Sequence, residues 1–294
     1  MSIFKTVGLI GKQSDARVSQ TLAQLAQLLP KLGCALLIET QSASALTGTN
    51  CAAVSRQELG QRCDLLIVVG GDGTLLAAAR ELSHTGLPIL GINQGRLGFM
   101  VDVNPQEMEV TLTQIFSGDY ISEKRLLLRA QIRHADGHTT PGSSLAVNDV
   151  VLRNQAAVRM LEFETWLGKE FISQHRADGI IVSTPTGSTA YALSGGGPVL
   201  HPSLDAITLV PICPHTLSDR PIVVGSDRVV RLVLCGGEST QAMVTCDGQT
   251  SEVLSPGDAV EISRAQETLH LIHPSNYNYF AILRGKLHWG RAQT

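Results

Sequence analysis

Apolar residues in the first part of the chain alternate between two spacings. Thr6 to Ile10 is a short apolar run of strand length. Val18, Leu22, Leu25, Leu28, Leu29 and Leu32 then recur at steps of three and four, which is one face of a helix. Ser14 or Asp15 would cap its start and Gly33 would end it. Ala35 to Ile38 reads as the next strand, and Leu65 to Val69 is an unbroken apolar run, as in a strand covered on both faces. The pattern predicts a helix from about Thr74 to Leu82 and a buried strand from Pro88 to Ile92. Asn104, Pro105 and Glu107 fit the N-cap, N1 and N3 positions of a helix reaching Phe116. Strands alternating with helices imply an α/β unit with a parallel sheet.

After Gly118 the period changes. Leu126 to Ile132 is strand-like and precedes a turn at Ala135-Asp136-Gly137. Leu161, Phe163, Thr165 and Leu167 alternate with Glu162, Glu164 and Trp166, a period of two. Ile180–Val182, Val229–Leu234, Ala242–Cys246 and Val260–Ile262 are further strand candidates, with Asp247-Gly248 and Pro256-Gly257-Asp258 as turns. The organisation expected is an α/β domain over 1–120, a mainly β domain over 121–271, and a last segment, 272–294, that returns to the first domain.

Length and composition narrow the function classes. The 294 residues are 43% hydrophobic and 17% charged, which suits a folded globular chain of one or two domains. A net charge of −3 gives no basic surplus for nucleic acid. No apolar run approaches the roughly 18 residues of a membrane helix, and the N-terminal residues lack a secretory layout, so a cytoplasmic location is expected. The six cysteines form no CxxC pair and read as free, mostly buried thiols, and no Cys or His set has zinc spacing.

Candidate chemistry concentrates at Gly70-Gly71-Asp72-Gly73-Thr74, between a buried strand and a helix. Ligands of open parallel sheets collect beyond the carboxyl ends of the strands. Glycines there let backbone N–H groups approach phosphate oxygens, and a helix N-terminus favours negative charge. Thr74 would cap the helix or bind a phosphate. Asp72 would repel a phosphate by about 1 kcal/mol or more at contact, so a plain anion site would avoid it. It makes sense as the acceptor of a proton from an attacking hydroxyl, or as a ligand of a divalent metal. Gly-Asp-Gly is also ordinary turn chemistry. Neither Gly-x-Gly-x-x-Gly nor a Gly-Lys-Ser/Thr loop is present.

The Gly70–Thr74 turn resembles the signature of the superfamily of NAD kinases, diacylglycerol kinases and phosphofructokinases. Asn93-Gln94-Gly95-Arg96-Leu97-Gly98-Phe99-Met100 is similar to the second loop of NAD kinases, and Asn148-Asp149 to their Asn-Glu pair. Asp178 to Tyr191, with Ser194-Gly195-Gly196-Gly197-Pro198, resembles their longest block. These blocks stand in family order across about Thr6 to Gly285.

The resemblance to NAD kinases implies an α/β domain and a β domain with the active site between them. It also implies a homo-oligomer, dimer or tetramer, with NAD sites near subunit contacts. The reaction implied is transfer of the γ-phosphoryl group of ATP to the 2′-hydroxyl of the adenosine ribose of NAD, with Mg²⁺ carried mainly by ATP phosphates and no metal ligand set in the protein. Asp72 would be the base, and Gly70, Gly71, Gly73 and Thr74 would hold ATP phosphates. Asn148 and Asp149 would bond a ribose diol or adenine edge, Asp149 being one methylene shorter than the usual Glu. Phe99, Thr189, Ala190, Tyr191, Leu193 and Ser194 would line the NAD pocket together with Asp72 and Gly73, Tyr191 offering a face for a base. Asp178 would take a carboxamide or amino group, and Arg159, Arg176 and Gln249 would add contacts.

Plainer readings stand beside these. Ser183 to Tyr191 by itself is a Ser/Thr-rich turn capping a short helix, and Phe99 by itself a core aromatic. Arg176 and Asp178 by themselves are a local ion pair. His175, His201 and His215 have no partner at catalytic spacing. A lipid kinase shares the glycine turn but would need a hydrophobic groove, a phosphofructokinase would need arginines for a sugar phosphate, and a non-catalytic NAD(P) sensor would gain nothing from Asp72.

Overall fold

The computed structural model describes residues 3–12, 15–46, 51–95, 98–155, 160–216, 218–237 and 240–289. The chain forms two units: Met1–Lys124 with Leu269–Thr294, and Arg125–Thr268. The first begins with β1 (Thr6–Gly11), α1 (Ala16–Lys31), β2 (Ala35–Glu39), β3 (Ala52–Val54) and α2 (Arg56–Arg62). Then come β4 (Leu65–Gly70), α3 (Asp72–Leu82), β5 (Ile89–Asn93), α4 (Met108–Ser117) and the start of β6 (Tyr120–Arg133). Asp15 caps α1 by accepting from the Arg17 N–H, and Gly33 follows the helix with φ +84°; Ser14 lies outside the described residues. Ser55 and Glu58 form a reciprocal capping box on α2.

The strands β3-β2-β1-β4-β5 lie side by side and all pair in parallel. Leu65 to Val69 in β4 are fully buried, as their unbroken apolar run requires, each contributing about 1.5–3 kcal/mol. Two helix starts differ from the expectation. Helix α3 begins at Asp72, two residues before Thr74, so Thr74 lies inside the first turn and caps nothing. Helix α4 begins at Met108: the Asn104 side chain accepts from Gln106 N, and Glu107 N returns to Asn104 O, making a turn of Pro105 rather than a first helical position.

The second unit continues β6 and adds β7 (Ser144–Ala146), β8 (Asp149–Asn154), β9 (Leu161–Leu167), β10 (Glu170–Ala177), β11 (Gly179–Ser183) and a short helix α5 (Tyr191–Ser194). It continues with β12 (Ala206–Ile212), β13 (Ile222–Gly225), β14 (Val230–Leu234), β15 (Ala242–Cys246), β16 (Thr250–Leu254) and β17 (Ala259–Pro274). One antiparallel sheet runs β13-β12-β11-β8-β15-β16, and β10-β9-β14-β17 form another antiparallel row. Val150, Leu152, Ile180 and Val182 of the first sheet share one core with Leu161, Phe163, Val230 and Leu232 of the second. The alternation read in β9 is observed, and the β15–β16 hairpin turns on Asp247 and Gly248, both at positive φ.

Strand β17 is far longer than Val260–Ile262. Its last residues belong to the first unit, where Leu271 and Ile272 pair in parallel with Ile89 and Leu90 of β5 before α6 (Tyr279–Leu287). None of the six cysteines forms a disulfide, but only Cys34 and Cys246 are buried, so the mostly buried set is corrected; Cys213 is exposed. No helix among the described residues is long and apolar enough to cross a membrane.

Candidate functional site

Strand β4 ends at buried Gly70, where any side chain would meet Thr74 Oγ1 at 2.7 Å. Gly71 is the extended N-cap of α3 and has no side-chain cap bond. Thr74 N and Leu75 N return to Gly71 O, and helix geometry leaves the N–H groups of Asp72 and Gly73 without intrahelical acceptors. The space above Gly71 and Gly73 is open, with no heavy atom within 4 Å of an added Cβ. This is an open anion cradle at a helix N-terminus.

The Asp72 carboxylate is half-buried and held at both oxygens: Oδ2 accepts from Phe99 N at 3.0 Å and Oδ1 from Met100 N at 3.1 Å. The donors lie in the loop after β5, which is tied down by Gln94 N donating to Gly70 O and Gly95 N donating to Asn93 Oδ1. Gly98 is the point of closest approach. A Cβ there would overlap Asp72 Oδ1 and the Val101 side chain. Phe99 is half-buried with Lys286 Nζ 5.7 Å from its ring centre, so it is not a full core residue. Arg96 and Leu97 lie outside the described residues.

In the second unit a cavity of about 470 Å³ is lined by Asn148, Asp149, Val151, Arg153, Ala190, Tyr191, Thr245, Asp247 and Gly248. Strand β8 supplies Asp149, Val151 and Arg153 from one face, because alternate residues of a strand point the same way; Val150 and Leu152 enter the core. Asp247 organises the rim. Its carboxylate accepts from Val147 N, Asn148 N and Asp149 N at 3.1, 2.7 and 3.2 Å, and its own N–H donates to Asp149 O. Asp149 is buried, and burial, followed by the charge of Asp247, pushes its carboxyl up to about 7.

Most hydroxyls of the 183–189 segment serve the protein itself. Thr184 Oγ1 donates to Val147 O, Ser188 Oγ to Pro185 O and Thr189 Oγ1 to Thr186 O. Gly187 packs directly on the Asn148 carbonyl, with no room for a side chain. This turn therefore holds Asn148 in place and leads into α5, where Tyr191 is 46% exposed and can present its ring to a planar ligand.

Of the residues expected at the NAD pocket, the cavity gathers Asn148, Asp149, Ala190 and Tyr191. Thr189 and Leu193 are half-buried beside it in sequence, Ser194 is exposed, and none of the three is among its lining residues. Exposed Asp178, Arg176 and Gln249 stand outside the lining. Arg176 faces Glu162 at 3.8 Å, its partner in register on β9, while Asp178 lies past the end of β10 at Ala177; this corrects the ion pair expected between Arg176 and Asp178. His175 has a partner after all, Asp219 at 3.2 Å. Arg159 lies outside the described residues. Val151, Arg153, Thr245, Asp247 and Gly248 were not anticipated as lining residues. The period-two spacing from Asp149 signals Val151 and Arg153, whereas Thr245 and Asp247 arrive only through the β8–β15 pairing.

Comparison with known proteins agrees with this arrangement. Residues 7–120 match the ATP-NAD kinase N-terminal domain and residues 147–274 the ATP-NAD kinase C-terminal domain. The NAD kinase of Nitrosococcus oceani is 46% identical, with 98% of each chain covered, and that of Teredinibacter turnerae is 45% identical with the same coverage. An NAD kinase from Archaeoglobus fulgidus, solved in complex with ATP, superposes with a TM-score of 0.76 at 26% identity, covering 96% of this chain and 98% of that one. Yeast NADH kinase complexed with NADH shares the fold, with a TM-score of 0.87 at 20% identity over 99% of this chain and 89% of that one. With both domain models matched in order and relatives this similar over nearly the whole length, the chain belongs to the NAD kinase family.

Proposed function

We propose that Asp72 accepts the proton of the 2′-hydroxyl of the adenosine ribose of NAD while that oxygen attacks the γ-phosphorus of ATP. The new O–P bond forms as the bond to the β-phosphate oxygen breaks, giving NADP and ADP. One observation carries this reading: a carboxylate fixed at both oxygens by Phe99 N–H and Met100 N–H at the start of an open glycine cradle. Each carboxylate oxygen has two lone pairs, so one N–H bond leaves room for a proton. The unpaired N–H groups of Asp72 and Gly73, with the open face of Gly71, would hold donor phosphates. The hard oxygens of Asp72 beside that open space also suit a divalent cation held chiefly by the nucleotide. When bound, Mg²⁺ would offset the charge on the transferred group.

Acceptor recognition is assigned to the second unit. Asn148 and Asp149 would bond the ribose diol or adenine edge, and Tyr191 would stack on a base. Asp72→Asn should lower kcat on the order of 10²–10⁴-fold and leave the KM for NAD nearly unchanged, read as NADP formed from NAD, ATP and Mg²⁺. Activity within a few-fold of wild type would reject Asp72 as the base.

Two further parts of the reading concern the whole protein. Six cysteines without a disulfide among them suit a reducing cytoplasm. A homo-oligomer, dimer or tetramer, is supported by exposed Ile222 and Val223 on the edge strand β13 and exposed Val253 on the opposite edge, β16. Sedimentation equilibrium should give a multiple of 31.4 kDa, and a monomer at micromolar concentration would refute the assembly.

A further inference from the structure

We propose that Lys12 binds the phosphate oxygens of the donor nucleotide. The inference rests on the reading of Gly70–Thr74 as the donor cradle. In the strand order β3-β2-β1-β4-β5 the chain leaves β1 toward β2 on one side, while β4 leads to β5 on the other. The direction of winding reverses between β1 and β4, and open α/β sheets take their ligands in the crevice outside the carboxyl ends at such a reversal. Two segments emerge there: the glycine turn after β4 and Lys12 after β1. Lys12 N donates to Val69 O at 3.0 Å, and a Cβ built on Gly70 would stand 3.5 Å from Lys12 Cβ. Lys12 is thus rooted beside the cradle.

Charge makes the case stronger. From Leu65 to Ala79 the chain has no Lys or Arg, and Asp72 adds a negative charge at the place where a polyanion would bind. A cation from a neighbouring segment is needed, and an ammonium on a flexible stem suits phosphate as a movable point charge with three donors. Lys12 is exposed and, among the described residues, has no ion-pair partner within 4 Å. The nearby carboxylate, Asp15, is engaged by Arg17 at 3.0 Å; its bonds to Arg17 hold it below its usual range, with a smaller effect from the charge of Lys12. Arg17 is committed to that pair, whereas the Lys12 ammonium is available.

The test compares Lys12→Met, Lys12→Arg and Gly71→Val in steady-state kinetics. Loss of a charge-assisted bond should raise the KM for ATP about ten- to hundredfold in Lys12→Met, with the KM for NAD within about two-fold and Lys12→Arg restoring most of the loss. Gly71→Val is tolerated by the fold, since Gly71 has extended backbone and no neighbour within 4 Å, yet it places a branched side chain over the cradle. If Gly71→Val raises the KM for ATP and Lys12→Met does not, the assignment of Lys12 is overturned while the cradle stands. If neither substitution moves it, the cradle reading falls and takes Lys12 with it. A parallel rise in both KM values in Lys12→Met would also overturn the proposal, because a purely structural role would act on both substrates.

Discussion

Asp149 departs far from the chemistry of a free aspartate. An aspartate in an unfolded chain titrates near 3.8, while burial and then the charge of Asp247 raise Asp149 to about 7. Between those values the folded chain holds a proton that the unfolded chain has released, so stability falls as pH rises from about 4 to about 7. A shift of roughly three units corresponds to on the order of 4 kcal/mol. Asp149→Asn keeps the hydrogen-bonding shape and removes the titration. Its melting temperature should gain on wild type progressively between pH 5 and pH 8. A gap that stays constant with pH would show that Asp149 is ionised throughout. None of this was legible locally: Asn148-Asp149 was a motif in the sequence, but its burial depends on Asp247, nearly a hundred residues away.

At the scale of elements, strand β17 carries a buried ionisable group. His273 is fully enclosed, its Nδ1 2.8 Å from Asp102 Oδ2 and its Nε2 3.1 Å from Glu123 Oε2 on β6, with Tyr277 stacked on the ring. Desolvation, the largest effect, opposes its protonation, but the bonds and charges of the two carboxylates outweigh it and raise its pKa. A raised histidine contributes stability that is fully present below its unfolded value, near 6.5, and is lost as pH rises through the folded value. His273→Leu strands two carboxylates, one of them buried, and should cost about 3–5 kcal/mol in urea unfolding at pH 6. The penalty should shrink at alkaline pH; one that grows there would mean that His273 is neutral in the fold. The helix starts show the same dependence on distant partners. Asp72 joins α3 with its side chain bonded to Phe99 N and Met100 N, whereas Asn104 uses its side chain to close a turn instead of a helix.

For the whole molecule, the first unit is assembled from both ends of the chain, with Leu271 and Ile272 of β17 pairing on β5. A chain ending at Thr268 would lose that strand and the His273 network together. It should show no cooperative thermal transition for the first unit by circular dichroism, and a wild-type-like melt would contradict this account of the unit. The sequence by itself determined the strand–helix alternation before Gly118, the period of two in β9, the Asp247-Gly248 turn and the motif blocks that lead to the family. These follow from local rules: side-chain periodicity, the backbone freedom of glycine, and short-range capping. Tertiary structure alone decided where Asp72 points, how Asp247 gathers three N–H groups beneath Asn148 and Asp149, and which residue Arg176 meets. Those outcomes rest on hydrogen bonds and burial between segments far apart in the chain, and no local pattern encodes a partner that only folding brings within reach.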